Sequence, residues 1–273
     1  MNNSSIPQNH NRFPLGRVVL GTTLALMVSG IVLFAHRAIL AVLVVVWIFL
    51  ATREFLQILS KAEIFLDWRL LSGLNIAIII AAYLNWLPYF LIAPIGIIFL
   101  SAITRRPPQP RVPVYGLFVL IYLGFLPSHL ILLHQLNISR WLVLFPLVLT
   151  WVNDTAAYAL GKLFGKHQLA PLLSPKKTIE GFFSGLLFSA LLAGIWLKRF
   201  TPYSFYPLWF LALVGVFLGA IAQTGDLFES VFKRAVGVKD SSSVLGEHGG
   251  FLDRVDSLLF TIPAFYYITN LLL

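Results

Sequence analysis

Hydrophobic positions in this chain run together instead of alternating with polar ones. Stretches such as AILAVLVVVWIFLA, Ala38 to Ala51, are apolar on every face, which excludes the alternating strands of a transmembrane β-barrel and predicts helices. Breaks at Gly, Pro, Asn and charged residues separate nine such runs, at 17–36, 38–56, 69–85, 86–104, 113–135, 141–160, 179–197, 206–225 and 253–273. Most approach the roughly 20 residues a helix needs to cross a bilayer. The third and fourth runs are short and parted only by NWLP, Asn85 to Pro88. One kinked span there is the competing reading, and it would invert the N-terminus. The expected fold is therefore all-α, a polytopic integral membrane protein with about nine transmembrane helices. It divides into a tail at 1–16, five spans at 17–135, and a region at 136–273 whose loops 161–178 and 226–252 carry the polar residues.

Composition supports the bilayer as solvent. A mean hydropathy of +0.85, with 58% hydrophobic and only 11% charged residues, exceeds what a soluble core requires. The absence of cysteine excludes disulfides, thiolate metal sites and a cysteine nucleophile. The first apolar run is long for a signal peptide and has no clear small-residue cleavage site, so it reads as a retained span. A net charge of +9 would suit nucleic acid, but in a membrane protein it is better explained by cytoplasmic loops facing anionic headgroups. With the N-terminus cytoplasmic, sixteen of the 20 Lys and Arg residues fall on the inner side; Arg37, Arg140, Lys198 and Arg199 fall on the other. All eleven acids lie at or near that same side, eight of them between Asp154 and Asp256. The positive-inside bias does not ask for carboxylates, so these need a chemical reason.

Three stretches supply candidates. In GDLFESVFKR, Gly225 to Arg234, a helical period places Asp226, Glu229, Ser230 and Lys233 on one face and Leu227, Phe228, Val231 and Phe232 on the other. A charged face is often merely solvated, but this one continues directly from an apolar span, where an uncompensated charge costs about 2–3 kcal/mol. In KDSSSVLGEHGGFLDRVD, Lys239 to Asp256, the Ser and Gly content suits a loop whose backbone approaches a ligand closely. Asp253 and Asp256 suit Mg²⁺, while Lys233, Arg234, Lys239 and Arg254 suit phosphate oxygens. The third stretch, Trp151 to Gly181, sets Asp154 at the end of a span and follows it with Lys162, Lys166, Lys176 and Lys177. Its SPKKTIEG segment also reads as a helix start, with Ser174 or Thr178 capping and Glu180 in the first turn. Carboxylates for a metal beside cations for phosphates are the equipment of phosphoryl or nucleotidyl transfer. Two other polar features read as structural. RRPPQPRVP, Arg105 to Pro113, is a solvated connector, and His129 is a packing histidine beside Pro127.

The pattern S-x-x-K-R-x₄-K-D-x-S-x-x-L-G-x-H-G-G-x-x-D-R-x-D, from Ser230 to Asp256, resembles the signature of the phosphatidate cytidylyltransferase (CDP-diacylglycerol synthase) family. NDTAAYALGKLFGKH, SPKKTIEG and QTGDLFES extend the resemblance over roughly Trp151 to Ser257. The chain departs from the pattern at Gly246-Glu247, where the family commonly has Pro-Gly, and at Ile179 and Ser184, where it commonly has Trp and Gly. The resemblance implies transfer of CMP from CTP to phosphatidic acid at the cytoplasmic membrane surface, giving CDP-diacylglycerol and pyrophosphate. It further implies Mg²⁺, held by Asp226 and Asp253 with Asp256 next, and leaves open a second, monovalent cation. Lys233, Arg234, Lys239 and Arg254 would neutralise phosphates. Ser230, Lys176, Lys177 and Asp154 would support the cavity, and His248 would donate to a phosphate or form a turn. The family also suggests a homodimer. A CTP-dependent polyprenol or lipid kinase and a secondary transporter remain as alternatives, since both place charges near the membrane.

Overall fold

The computed structural model describes residues 15–107, 109–242, 244 and 249–273. It is nearly all helical: α1 (Leu15–Phe34), α2 (Arg37–Lys61), α3 (Trp68–Tyr83), α4 (Leu87–Phe90), α5 (Ile92–Thr104), α6 (Arg111–Leu120), α7 (Leu126–Gln135), α8 (Arg140–Phe164), α9 (Ile179–Phe200), α10 (Leu208–Ala235) and α11 (Asp256–Leu272). A π-helical turn, Ile121–Phe125, joins α6 and α7 into one continuous rod. Among the described residues six helical stretches are long and apolar enough to cross a membrane: 37–61, 87–104, 111–135, 140–164, 179–200 and 208–235. The apolar helices Gly21–Phe34 and Trp68–Tyr83 are shorter, as is α11 with 17 residues. The protein is thus an integral membrane protein with at least these candidate spans. Across NWLP the chain forms two helices, α3 and then α4–α5, with Asn85 in a left-handed turn at φ 61 between them.

One departure from an all-α expectation lies in the loop after α8. There β1 (Gln168–Ala170) and β2 (Ser174–Thr178) form an antiparallel hairpin with an irregular register. SPKKT is therefore a strand and Ser174 does not cap, while the helix start read in SPKKTIEG falls at its end, with Glu180 in the first turn of α9. The cap is Thr178, whose Oγ1 accepts from Gly181 N at 3.1 Å. Pro175 and the exposed Lys176 suit the edge of a two-stranded ribbon.

Polarity is distributed as lipid demands. On α9, Leu187, Leu191 and Ile195 recur at helical spacing and are all more than half exposed, as are Leu213 and Phe217 on α10. Polar residues turn inward instead. Asn153 of α8 donates through Nδ2 to Ser189 Oγ of α9 at 2.9 Å, and Gln223 of α10 donates to Phe182 O at 3.1 Å. In lipid such groups have no water to fall back on, so they pair across helices.

Contacts sort the loops into two ends. At one, Arg140 Nη1 donates to Ala35 O at 2.5 Å, Ser139 Oγ to Phe200 O at 3.2 Å, Gln135 Nε2 to Tyr83 O at 3.0 Å, and Tyr206 OH to Leu272 O at 3.4 Å. At the other gather the C-terminal parts of α2, α8 and α10 and the N-termini of α9 and α11. An aromatic cluster braces this second end. Phe55 of α2 lies 5.1 Å from Phe232 of α10, which lies 5.2 Å from Phe118 of α6, and Phe228 lies 5.4 Å from Phe260 of α11. Contacts of this size stabilise by about 0.5–1.5 kcal/mol per pair beyond their burial. They fix the apolar face of α10 and thereby aim its polar face.

Candidate active site

The apolar face read from GDLFESVFKR packs as expected through Phe228 and Phe232. The polar face is buried at three of its four positions, with Asp226 partly exposed. Glu229, Ser230 and Lys233 are buried, and the Lys233 ammonium bridges Glu229 Oε2 and Asp253 Oδ1, each at 2.7 Å. Two carboxylates offset the desolvation penalty that a lone buried ammonium would suffer.

Asp253 sits in a short 3-10 turn, Leu252–Arg254, just before α11. Besides Lys233 it accepts from Ser241 N (3.0 Å), Ser241 Oγ (2.9 Å) and Gly250 N (2.7 Å). Burial would raise its carboxyl, but the Lys233 charge and these hydrogen bonds outweigh it and hold the group below its ordinary range. Two glycines make this geometry available. Gly249 has φ +74, and a Cβ on it would meet Asp253 Oδ2 at 2.7 Å. A Cβ on Gly250 would collide with Ser241 Oγ and lie 2.5 Å from Glu54 Oε2.

Glu54 is a residue that the sequence reading did not place in the site. It lies on α2, is 4% exposed, and accepts hydrogen bonds from the loop that carries the signature: Ser241 Oγ at 3.0 Å, Ser242 Oγ at 2.5 Å, Phe251 N at 3.0 Å and Leu252 N at 2.8 Å. Trp47, two turns earlier on α2, donates to Phe251 O at 3.0 Å. The available signal was a carboxylate inside an apolar span, the same one that singled out Asp154. Ser241 and Glu229 were likewise absent from the expected site, although Glu229 was on the polar face.

The loop between α8 and α9 joins from the side. Lys177 Nζ on β2 pairs with Asp226 Oδ2 at 2.6 Å, and Arg234 donates to Leu173 O at 2.9 Å and Val238 O at 3.0 Å, fastening the hairpin to the end of α10. Glu180 accepts from Lys166 N and His167 N and pairs with His167 Nδ1 at 2.7 Å, closing the base of the hairpin. Asp256 is buried at the start of α11, where its Oδ1 accepts from Ser257 N at 2.6 Å. It lies within electrostatic reach of Asp226, Glu229 and Asp154.

Of the expected site residues, Lys233, Asp253, Asp256, Ser230, Asp226 and Lys177 are thus drawn together. Lys176, Lys239, Arg234 and Arg254 are exposed around them. His248 lies outside the described residues, as do residues 1–14 of the expected tail. Away from the site, His129 is buried and contacts Phe125 O at 3.0 Å and Tyr267 OH at 3.1 Å, which suits packing.

Among the described residues no three acidic or imidazole side chains form a complete metal-ligand set. The donor chemistry nonetheless suits a hard cation. The carboxyl groups of Asp154, Asp226, Glu229, Asp253 and Asp256 interact in one cluster with Lys177, Lys233 and Arg254, and Glu229 Oε1 is buried without a donor among the described residues. Mg²⁺ commonly takes one or two carboxylates and completes its shell with water and phosphate oxygens.

The chain matches the model of the cytidylyltransferase family over residues 15–272. It is 43% identical to the phosphatidate cytidylyltransferase of Aquifex aeolicus over 151 residues, 55% of each chain. It is also similar to the proteins of the same name from Staphylococcus epidermidis (strain RP62A), at 48% over 121 residues, and Staphylococcus aureus (strain COL), at 46% over 121 residues. The matched segments cover 44% of this chain and 46% of each of these two, so the chain spans about half the length of the curated relatives it matches. With a family match running almost from end to end, this chain belongs to the cytidylyltransferase family.

Proposed function

We propose that the protein is a phosphatidate cytidylyltransferase, transferring CMP from CTP to phosphatidic acid and releasing pyrophosphate. One observation carries the reading within this family. Five helix ends gather lysines and carboxylates from two separated loops, seen in Lys177 on Asp226 and in Lys233 on Asp253.

In this reading the phosphate oxygen of the lipid attacks the α-phosphorus of CTP, and the pyrophosphate oxygen leaves. Lys176, Lys177, Lys239, Arg234 and Arg254 face the triphosphate and headgroup and neutralise charge as it shifts to the leaving group. Buried Lys233 acts from behind, keeping Asp253 ionised and in place. Asp226 and Asp253, with Asp256 next, would hold Mg²⁺, which would polarise phosphate oxygens and screen their repulsion. Asp226 fits that role directly, since its pair with Lys177 is partly exposed. At Asp253 the cation would share a carboxylate already committed to Lys233, Ser241 and Gly250.

The proposed topology has nine spans and a cytoplasmic N-terminus. The distribution of Lys and Arg supports it, and so does the sorting of loops into two ends by the contacts of Arg140, Gln135 and Ser139 at one and of Lys177 and Glu54 at the other. The site then lies on the cytoplasmic face, where soluble CTP meets a membrane lipid.

The direct test is formation of labelled CDP-diacylglycerol from CTP and phosphatidate in detergent micelles with Mg²⁺. Product from the intact chain, lost in Asp253→Asn, is the expected result. Folded protein that makes none and phosphorylates a polyprenol instead would identify a CTP-dependent kinase.

A further inference from the structure

A carboxylate has room for about four hydrogen bonds, and among the described residues four donor groups of one loop far away in sequence reach Glu54. Two donors are hydroxyls, of Ser241 and Ser242, and two are backbone amides, of Phe251 and Leu252. The Ser241 hydroxyl has a single proton, yet its oxygen lies 3.0 Å from Glu54 Oε2 and 2.9 Å from Asp253 Oδ2. Two carboxylates therefore converge on one hydroxyl, and an unbroken polar chain runs from Glu54 through Ser241, Asp253 and Lys233 to Glu229.

Nothing about ordinary packing asks for this. Around Glu54, α2 is apolar and buried, with Ala51, Phe55 and Ile58 at 0–2% exposure, and an aliphatic residue would serve the core at lower desolvation cost. Both edges of the signature loop are instead tied to one buried charge: Ser241 and Ser242 before the His-Gly-Gly sequence, Phe251 and Leu252 after it. Gly250 admits no side chain because Glu54 and Ser241 occupy the space that its Cβ would need.

We propose that Glu54 is a positioning residue for the reaction. By clamping both ends of the 241–252 loop it presets the Asp253–Lys233 pair, so the N-terminal half of the chain takes part in assembling the site. The proposal rests on the cytidylyltransferase reading for its kinetic part and on geometry alone for its structural part.

The test combines steady-state kinetics with amide hydrogen exchange on the full chain in micelles, using Glu54→Gln, Glu54→Asp and Ser242→Ala. Gln keeps the size but turns an amide N–H₂ toward two of the donors. It is expected to lower kcat on the order of 10- to 100-fold while KM for CTP stays nearly constant. Asp, with its carboxylate retained, is expected to recover part of that loss. Exchange at Phe251 and Leu252 is expected to quicken on the order of tenfold or more in Glu54→Gln. Ser242→Ala removes one donor from the loop side, cannot empty the core, and is expected to show a smaller effect of the same kind. It decides the matter if Glu54→Gln does not fold. Faster exchange with unchanged kcat overturns the positioning role, and unchanged exchange overturns the clamp. An intact chain inactive with CTP and phosphatidate, yet showing the exchange change, counts against the assigned reaction and upholds the clamp.

Discussion

Lys233 Nζ lies 2.7 Å from Asp253 Oδ1, although 20 residues and the whole signature loop separate them in sequence. The same ammonium holds Glu229 one helical turn back, also at 2.7 Å. Replacing Lys233 with Met would leave two buried carboxylates facing each other with no cation between them. A loss of about 3–5 kcal/mol is expected, as for other buried pairs broken on one side. Thermal unfolding in detergent measures it. A Lys233→Met protein as stable as the parent would show that water replaces the ammonium.

Gly250→Ala should damage the site more than its one added methyl suggests. The new Cβ enters the space of Ser241 Oγ and Glu54 Oε2. Overpacking of this kind costs about 1–3 kcal/mol. A fall in activity of at least roughly tenfold is expected because the displaced groups hold Asp253. Combining Gly250→Ala with Glu54→Asp, which withdraws the carboxylate by one methylene, is expected to cost less than the sum of the two alone.

Lys177→Ala separates catalysis from stability. Its pair with Asp226 is about a quarter to a third exposed on each side, so its loss should change stability by no more than about 1 kcal/mol. If Lys177 meets the triphosphate, KM for CTP rises on the order of tenfold or more while the melting temperature barely moves. Unchanged kinetics would confine the residue to fastening the hairpin.

Chelation is expected to stop product formation completely, with activity returning on addition of Mg²⁺. Asp226→Asn should raise the Mg²⁺ concentration for half-maximal rate by roughly tenfold or more. Titration of the rate against Mg²⁺ measures this. A parent enzyme indifferent to EDTA would remove the metal from the mechanism.

Much of this was legible in the chain because local rules govern it. Uninterrupted apolar runs can only be helices where no water can satisfy the backbone, and each predicted run has its counterpart among α1 to α11. The amphipathic turn at Asp226 to Lys233 was visible as periodicity. What periodicity cannot say is which face meets protein. The face read as charged proved to be buried as well at Glu229 and Lys233, because Asp253 and Ser241 come to it from another loop. The hairpin at Gln168–Thr178 was missed for a related reason: SPKKT carries a capping threonine and a basic strand at once, and pairing with Gln168 decided between them.

The sequence by itself determined the solvent, the helical class and the residue types of the chemistry, since these follow from composition, run length and short-range spacing. Only the tertiary structure decided that Glu54 belongs with them. Its hydrogen bonds span up to 198 residues, and a carboxylate in an apolar helix does not announce its partners. They become known when folding brings the Ser241 and Ser242 hydroxyls and the Phe251 and Leu252 amides to it, and a buried charge of that kind persists only where such donors arrive.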